Sequence, residues 1–243
     1  IPVFCGHGTK TFMKVEEETT SLTNYGQHDY RTFKSGTPVK TGDLTVEPVH
    51  VDHSIPGAYG FVATYPEGSL VYTGDLRRHG AMSQMTDDFL ERAAEEKPSI
   101  MITEGTRVAP EEKRKLYSEE RVLKMGTRIV EQSRKLVVMV CYSRDIDRFK
   151  TFYRVAKDTG RLFVIHPKTA YLFHEIMDKV DVPDPAKDPQ IRVYFRRKRS
   201  GTYDDSDYYK WEQGFLDRMV TAEWVRKRQA ETLLSLSFNQ FTE

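Results

Sequence analysis

Two short stretches decide how this chain is interpreted: His-Ser-Ile-Pro at residues 53–56 and Thr-Gly-Asp-Leu-Arg at residues 73–77. Between them, residues 60–65 and 70–73 have the composition of two short β-strands, and the Pro-Glu-Gly-Ser that joins them is typical of a turn. If these strands pair, the histidine of the first stretch and the aspartate of the second meet at one rim of the sheet. Such a rim is a suitable place for a metal ion or for acid–base chemistry.

The candidate chemistry rests on three side chains, His53, Asp75 and Glu104. An imidazole and a carboxylate are zinc ligand types, and a further carboxylate can orient a ligating imidazole without touching the metal. The alternative is structural: His53 packs at a strand end, Asp75 caps a turn, and Glu104 is a solvated strand terminus. For any one residue the structural alternative is favoured. The joint occurrence of all three in this order favours the functional interpretation.

The stretches at residues 53–56, 73–77 and 103–106 resemble motifs of the metallo-β-lactamase superfamily. The first two resemble its third and fourth metal motifs, and Thr-Glu-Gly-Thr resembles the acidic motif that opens a β-CASP domain. The resemblance implies a β-CASP ribonuclease, closest to archaeal ribonuclease J-like proteins, with two zinc ions per intact active site. It implies that His53 and Asp75 are metal ligands and that Glu104 joins them as a catalytic residue.

Composition excludes few functions. The chain has 243 residues, with 37 basic and 36 acidic side chains and a net charge of +1, so binding to RNA requires a local basic patch. Its apolar runs are too short to cross a bilayer and no signal peptide is recognisable, so we expect no membrane partner. Cys5 and Cys141 lie far apart, which predicts no disulfide framework and a cytoplasmic location.

The pattern of apolar residues changes near residue 105. Residues 1–105 are rich in short strands and turns, and the resemblance makes them the back half of a metallo-β-lactamase αββα sandwich domain. Residues 106–243 alternate helix and strand, which predicts an α/β fold with a small parallel sheet flanked by helices. The resemblance makes this second part a β-CASP domain, incomplete at its C-terminus.

Four local predictions follow from propensity and spacing. We expect a helix over residues 86–96 with Thr86 as its N-cap, and a buried strand over residues 99–103. Two helices, over residues 206–218 and 221–236, are expected to close the chain.

Two segments are candidate RNA contacts. Ser143, Arg144 and Arg148 lie at a predicted strand-to-helix turn that, by the resemblance, approaches the substrate backbone, and free helix N-terminal amides bind anions. The alternative is an ordinary helix start with Ser143 or Asp145 as N-cap. The second segment is a basic run after a predicted strand, where the usual alternative is a solvated loop; its residues are Arg196, Arg197, Lys198 and Arg199.

Several ligands that the resemblance requires are missing from this sequence. Neither the upstream His-x-His-x-Asp-His motif nor the downstream His-x-Ser-Gly-His pattern occurs in it. We therefore expect the middle of a longer nuclease, too poor in ligands to form a tight dinuclear site alone. A DNA-directed nuclease of the same fold and a non-catalytic RNA-binding or scaffold protein are the alternatives. A homodimer is left open.

Overall fold

The computed structural model describes residues 2–19, 29–105, 117–195 and 208–237. The chain divides into two compact units: Ile1–Met13 with Tyr25–Ser118, and Lys14–Asn24 with Glu119–Glu243. In these described ranges, no helix has the length and apolar character needed to cross a membrane.

The first unit is built on a five-stranded mixed sheet and a two-stranded parallel sheet. The elements, in chain order, are β1 (Pro2–Gly6), α1 (His7–Thr19), which crosses from the first unit into the second, β2 (Asp29–Phe33), β3 (Val39–Thr41), β4 (Leu44–His50), β5 (Tyr59–Tyr65), β6 (Gly68–Tyr72), α2 (Ser83–Glu95) and β7 (Ile100–Ile102). The strand order of the larger sheet is β3-β4-β5-β6-β7, and the smaller sheet pairs β1 with β2.

One face of this sheet packs against α2. Val62 and Val71, which pair across β5 and β6, form a buried cluster with Phe89 and Ala93 of α2. Gly60 is required beneath Phe89, because a Cβ atom there would lie 2.4 Å from the ring. Alternate residues of a strand point to opposite faces, so Phe61 and its partner Tyr72 belong to the other face.

Two local predictions for this unit give the correct element but a wrong detail, the N-cap of the helix and the burial of the strand. The helix begins at Ser83, and Thr86 is a fully buried residue within it rather than its N-cap. Residues 100–102 do form a strand, but its side chains are exposed by 49% to 57%. The continuous apolar run suggested a covered strand, whereas β7 lies at the sheet edge and, in the described ranges, pairs only with β6.

The second unit contains a fully parallel five-stranded sheet flanked by helices, which confirms the α/β class. Its elements are α3 (Glu119–Gln132), β8 (Val137–Val140), α4 (Ile146–Asp158), β9 (Leu162–Ile165), α5 (Pro167–Ile176), β10 (Ile191–Tyr194), a 3-10 helix (Lys210–Arg218), β11 (Met219–Val220), α6 (Ala222–Lys227), a second 3-10 turn (Gln229–Glu231) and β12 (Thr232–Leu236). The strand order of the sheet is β11-β10-β9-β12-β8.

The prediction of a closing helix over residues 221–236 is wrong in its second half. Helix α6 ends at Lys227, and residues 232–236 form β12 between β8 and β9. Thr232 and Leu233 are fully buried there. Leucine favours helices in isolation, but an apolar strand covered on both faces is stabilised by burial and by backbone pairing on both sides.

Candidate functional site

The structure brings His53, Asp75 and Glu104 to the same edge of the first unit's sheet. His50 at the end of β4 pairs with Tyr59 at the start of β5, and Tyr72 at the end of β6 pairs with both Phe61 of β5 and Ile102 of β7. The loops that leave β4, β6 and β7 therefore start from one edge. His53 lies in the first of these loops, Asp75 in the second and Glu104 in the third.

Hydrogen bonds connect these three loops. Arg77 in the β6–α2 loop donates from Nη2 to the carbonyl oxygen of His53 at 3.3 Å. The Oε1 atom of Glu104 accepts the backbone N–H of Leu76 at 3.1 Å. The segment that follows Asp75 is thus held from one side by the loop of His53 and from the other by the carboxylate of Glu104.

Gly74 has a left-handed backbone conformation, with φ of 58°, directly before Asp75. A Cβ atom at this position would lie 2.5 Å from the carbonyl oxygen of Tyr59. The backbone before Asp75 therefore approaches Tyr59 too closely for a side chain at position 74, and only glycine adopts this left-handed conformation without strain.

The described residues fit a zinc site by donor type but do not complete one. Asp75 is exposed and His53 is half-buried, so both side chains are accessible to a ligand. Within the ranges that the structure describes, no three histidine, cysteine, aspartate or glutamate side chains come together as a metal site. Two ligands are fewer than the four of a structural zinc site or the three of a catalytic one.

In the second unit, the turn after β8 starts α4 with an aspartate cap. Asp145 is the N-cap, and its carboxylate accepts the backbone N–H of Arg148 at 3.0 Å. The guanidinium of Arg148 pairs with Glu119 at 2.8 Å, and that of Arg144 pairs with Glu16 of α1 within the same unit. Asp145 is therefore the N-cap, as the ordinary helix start predicted. Arg144 and Arg148 each form an ion pair with a carboxylate.

Ser143 lies beside a small cavity at the carboxyl ends of the parallel strands. Its lining includes hydroxyl-bearing residues from three segments, among them Ser143, Thr169 and Ser235, and also the acidic N-cap of α4, Asp145. The cavity also contacts Cys141, where burial raises the pKa of the thiol to about 11, against a smaller opposing effect of its hydrogen bond to Ser235. Ligands of open α/β sheets bind at this end of the strands, and neutral hydroxyls can donate to phosphate oxygens.

Other residues of the candidate site were not foreseen from the sequence. Asp52 and Arg77 flank the predicted ligands, and Ser235 belongs to the strand that was expected to be a helix. The sequence feature that could have identified Arg77 is its place at the end of the stretch at residues 73–77. The basic run Arg196, Arg197, Lys198 and Arg199 lies outside the described residues.

Comparisons with known proteins show limited similarity. No family model matches the chain. A segment of 132 residues, 54% of this chain, is 26% identical to ribonuclease J from Mycoplasma genitalium and spans 23% of that protein. A crystal structure of a protein of unknown function from Enterococcus faecalis V583 superposes with a TM-score of 0.71 at 19% identity, over 100% of this chain and 54% of the other. The chain thus spans about half of that protein and shares the fold of the matching part.

Proposed function

We propose that this sequence is the middle part of a zinc-dependent ribonuclease of the β-CASP group, which hydrolyses RNA phosphodiester bonds in RNA processing or decay. The observation that carries the proposal is the placement of His53, Asp75 and Glu104 at one sheet edge, each in a loop that follows a strand. The similarity to a protein named ribonuclease J supports it. No single residue would justify the assignment.

We further propose that the first unit is the back half of an αββα sandwich and the second a β-CASP domain. The sheet face opposite α2 supports the first assignment. On that face Tyr72 is 45% exposed, Ile100 51% and Ile102 49%, so neighbouring apolar side chains of β6 and β7 form an exposed patch. Such a face is suited to packing against a second sheet. The parallel sheet of the second unit is compatible with a β-CASP domain.

In this proposal His53 and Asp75 would hold zinc, together with ligands from other parts of the longer polypeptide. When bound, zinc supplies Lewis-acid stabilisation of the negative charge that develops on a reacting phosphodiester. The contribution of Glu104 is positional, because its carboxylate holds the N–H of Leu76 and with it the loop of Asp75. In the second unit, the hydroxyl groups around Ser143 would accommodate phosphate oxygens of the RNA strand.

The test is a hydrolysis assay on the longest natural polypeptide that carries this sequence. We expect it to cleave single-stranded RNA, to lose activity on treatment with a chelator and to regain it with added zinc. A DNA strand of the same sequence is the matched substrate. Cleavage of DNA alone would favour the DNA-directed alternative, and RNA binding without cleavage of either strand would favour the non-catalytic alternative.

The basic run at residues 196–199 provides a second prediction. Glutamine at all four positions, Arg196, Arg197, Lys198 and Arg199, should weaken RNA binding and make it less dependent on salt. The plot of log K against log salt has a negative slope, and each lost phosphate contact should make that slope less steep by about 0.7. Binding is measured by fluorescence anisotropy from low to high salt. A quadruple variant with an unchanged slope would assign the run to a solvated loop.

A further inference from the structure

We propose that Asp52 and Arg77 form a buried clamp that fixes the relative position of His53 and Asp75. Asp52 directly precedes His53, and Arg77 follows Asp75 by two residues. Neither residue is a metal ligand in the proposed function, on which this inference rests. Both are positioning residues, which act through the loops that carry the ligands.

The clamp joins the two loops by three kinds of contact. The guanidinium of Arg77 donates to Oδ1 of Asp52 from Nε at 3.3 Å and from Nη2 at 3.2 Å. Its Nη2 also donates to the carbonyl of His53 at 3.3 Å, and its backbone N–H donates to the carbonyl of Asp52 at 2.9 Å. One arginine therefore holds both the side chain and the backbone of the His53 loop, so a shift of either loop displaces the other.

Helix α2 anchors this clamp through a single hydroxyl group. Thr86 accepts the backbone N–H of Asp52 and donates to the carbonyl of Arg77, both at 2.9 Å. This arrangement explains why Thr86 is buried inside the helix rather than placed at its start. Because α2 packs on the sheet, Thr86 attaches the two loops to the core of the unit as well as to each other.

The clamp is almost fully enclosed by the protein. Exposure is 2% for the side chain of Asp52 and 13% for that of Arg77, and a Cβ atom on Gly80 would lie 2.2 Å from Oδ2 of Asp52. That Oδ2 atom is buried without a hydrogen-bond partner in the described part of the chain. A buried ion pair is often no more stabilising than apolar residues of equal volume. We therefore assign to this pair the role of positioning the loops of His53 and Asp75.

The experiment compares variants of the longer polypeptide. Arg77→Met should lower kcat on RNA about 100-fold, since a displacement near 1 Å of a catalytic group has this effect, with KM nearly unchanged. Arg77→Lys, which keeps the charge but not the fork, should recover part of the loss. The control is Arg78→Met, because Arg78 is the next residue, with a side chain 66% exposed and paired with Asp87; its kcat should stay at the wild-type value.

Hydrogen exchange at the amides of Asp52 and Leu76, which both donate hydrogen bonds in the two loops, supplies a readout independent of activity. Exchange should accelerate in Arg77→Met and not in Arg78→Met. If Arg77→Met does not fold, Gly80→Ala displaces the pair without removing a charge and should give the same pattern. Wild-type kcat in folded Arg77→Met, or a loss confined to KM, would overturn the clamp. If the wild-type polypeptide does not cleave RNA, the proposed function fails and the amide exchange alone decides for or against the clamp.

Discussion

Replacing Asp75 with alanine is expected to abolish RNA hydrolysis by the longer polypeptide and to leave its affinity for RNA almost unchanged. Under the proposed function, Asp75 would be one of the residues that hold zinc, and losing it should lower kcat by about 10³-fold or more. Affinity should persist because phosphate contacts supply most of it, and the proposed RNA contacts lie in the second unit. Single-turnover cleavage and equilibrium binding, measured on the same labelled RNA, separate the two effects.

The control for this prediction is Asp43→Ala. Asp43 is exposed like Asp75 and lies in the turn between β3 and β4, outside the three loops that carry the candidate site. Its replacement should leave both cleavage and binding at wild-type values. Nuclease activity that survives Asp75→Ala would count against the metal mechanism as a whole, whereas a parallel loss in both variants would indicate general damage to the fold.

The elements that the sequence predicts well are those determined by short-range pattern. The hairpin of β5 and β6 follows from two apolar segments around a Gly-containing turn, and it places Asp75 correctly at the end of β6. The alternation of helix and strand from α3 to β10 likewise follows from periodicity, because β8, β9 and β10 are short apolar runs that alternate with helices. These features depend on neighbours within a few residues.

The errors arise where distant residues decide the structure. Residues 232–236 become a strand because β8 and β9 leave a gap in the parallel sheet that a fifth strand fills. Thr86 looked like a helix cap by its type, but its hydroxyl bonds to backbone groups 34 and 9 residues away. No local pattern contains that information.

The candidate site also contains both residues that a local sequence pattern identifies and residues that only distant contacts identify. His53, Asp75 and Glu104 stand in recognisable stretches, so their order along the chain was enough to select them. Asp52 belongs to no such pattern, and its burial appears only when the loop after β4 folds against Arg77. A supporting side chain such as Asp52 is identified by its contacts in the folded structure, and these contacts cannot be read from a single sequence.

Arg161→Met is expected to destabilise the second unit by about 4 kcal/mol, the largest loss of stability we expect from a single replacement in this unit. Arg161 is 5% exposed. Its guanidinium donates to four backbone carbonyls, those of Val130 and Lys135 at 2.9 Å, Thr232 at 3.3 Å, and Ser133. Burial lowers the pKa of Arg161, but arginine remains charged at neutral pH. Methionine fills part of the volume but removes the charged donor from all four carbonyls; those of Val130 and Lys135 keep a second, neutral donor in Ser133.

The four carbonyls explain why the loss should be so large. They lie at the end of α3, in the turn before β8 and at the start of β12, so one side chain holds together a helix and two neighbouring strands. Trp211 and Trp224 are the only tryptophans of the chain and both belong to the second unit. Denaturant unfolding followed by their fluorescence therefore reports on this unit.

The matched control is Arg154→Met on α4. The side chain of Arg154 is 69% exposed and pairs with Asp158 at 3.5 Å, so its loss should cost less than about 0.5 kcal/mol. Equal destabilisation by the two replacements would mean that arginine charge in general, rather than the carbonyl contacts, stabilises the unit. An unchanged unfolding midpoint in Arg161→Met would contradict the buried network itself, since the loss of a charged donor inside the protein weakens the hydrogen bonding of these carbonyls without returning them to water.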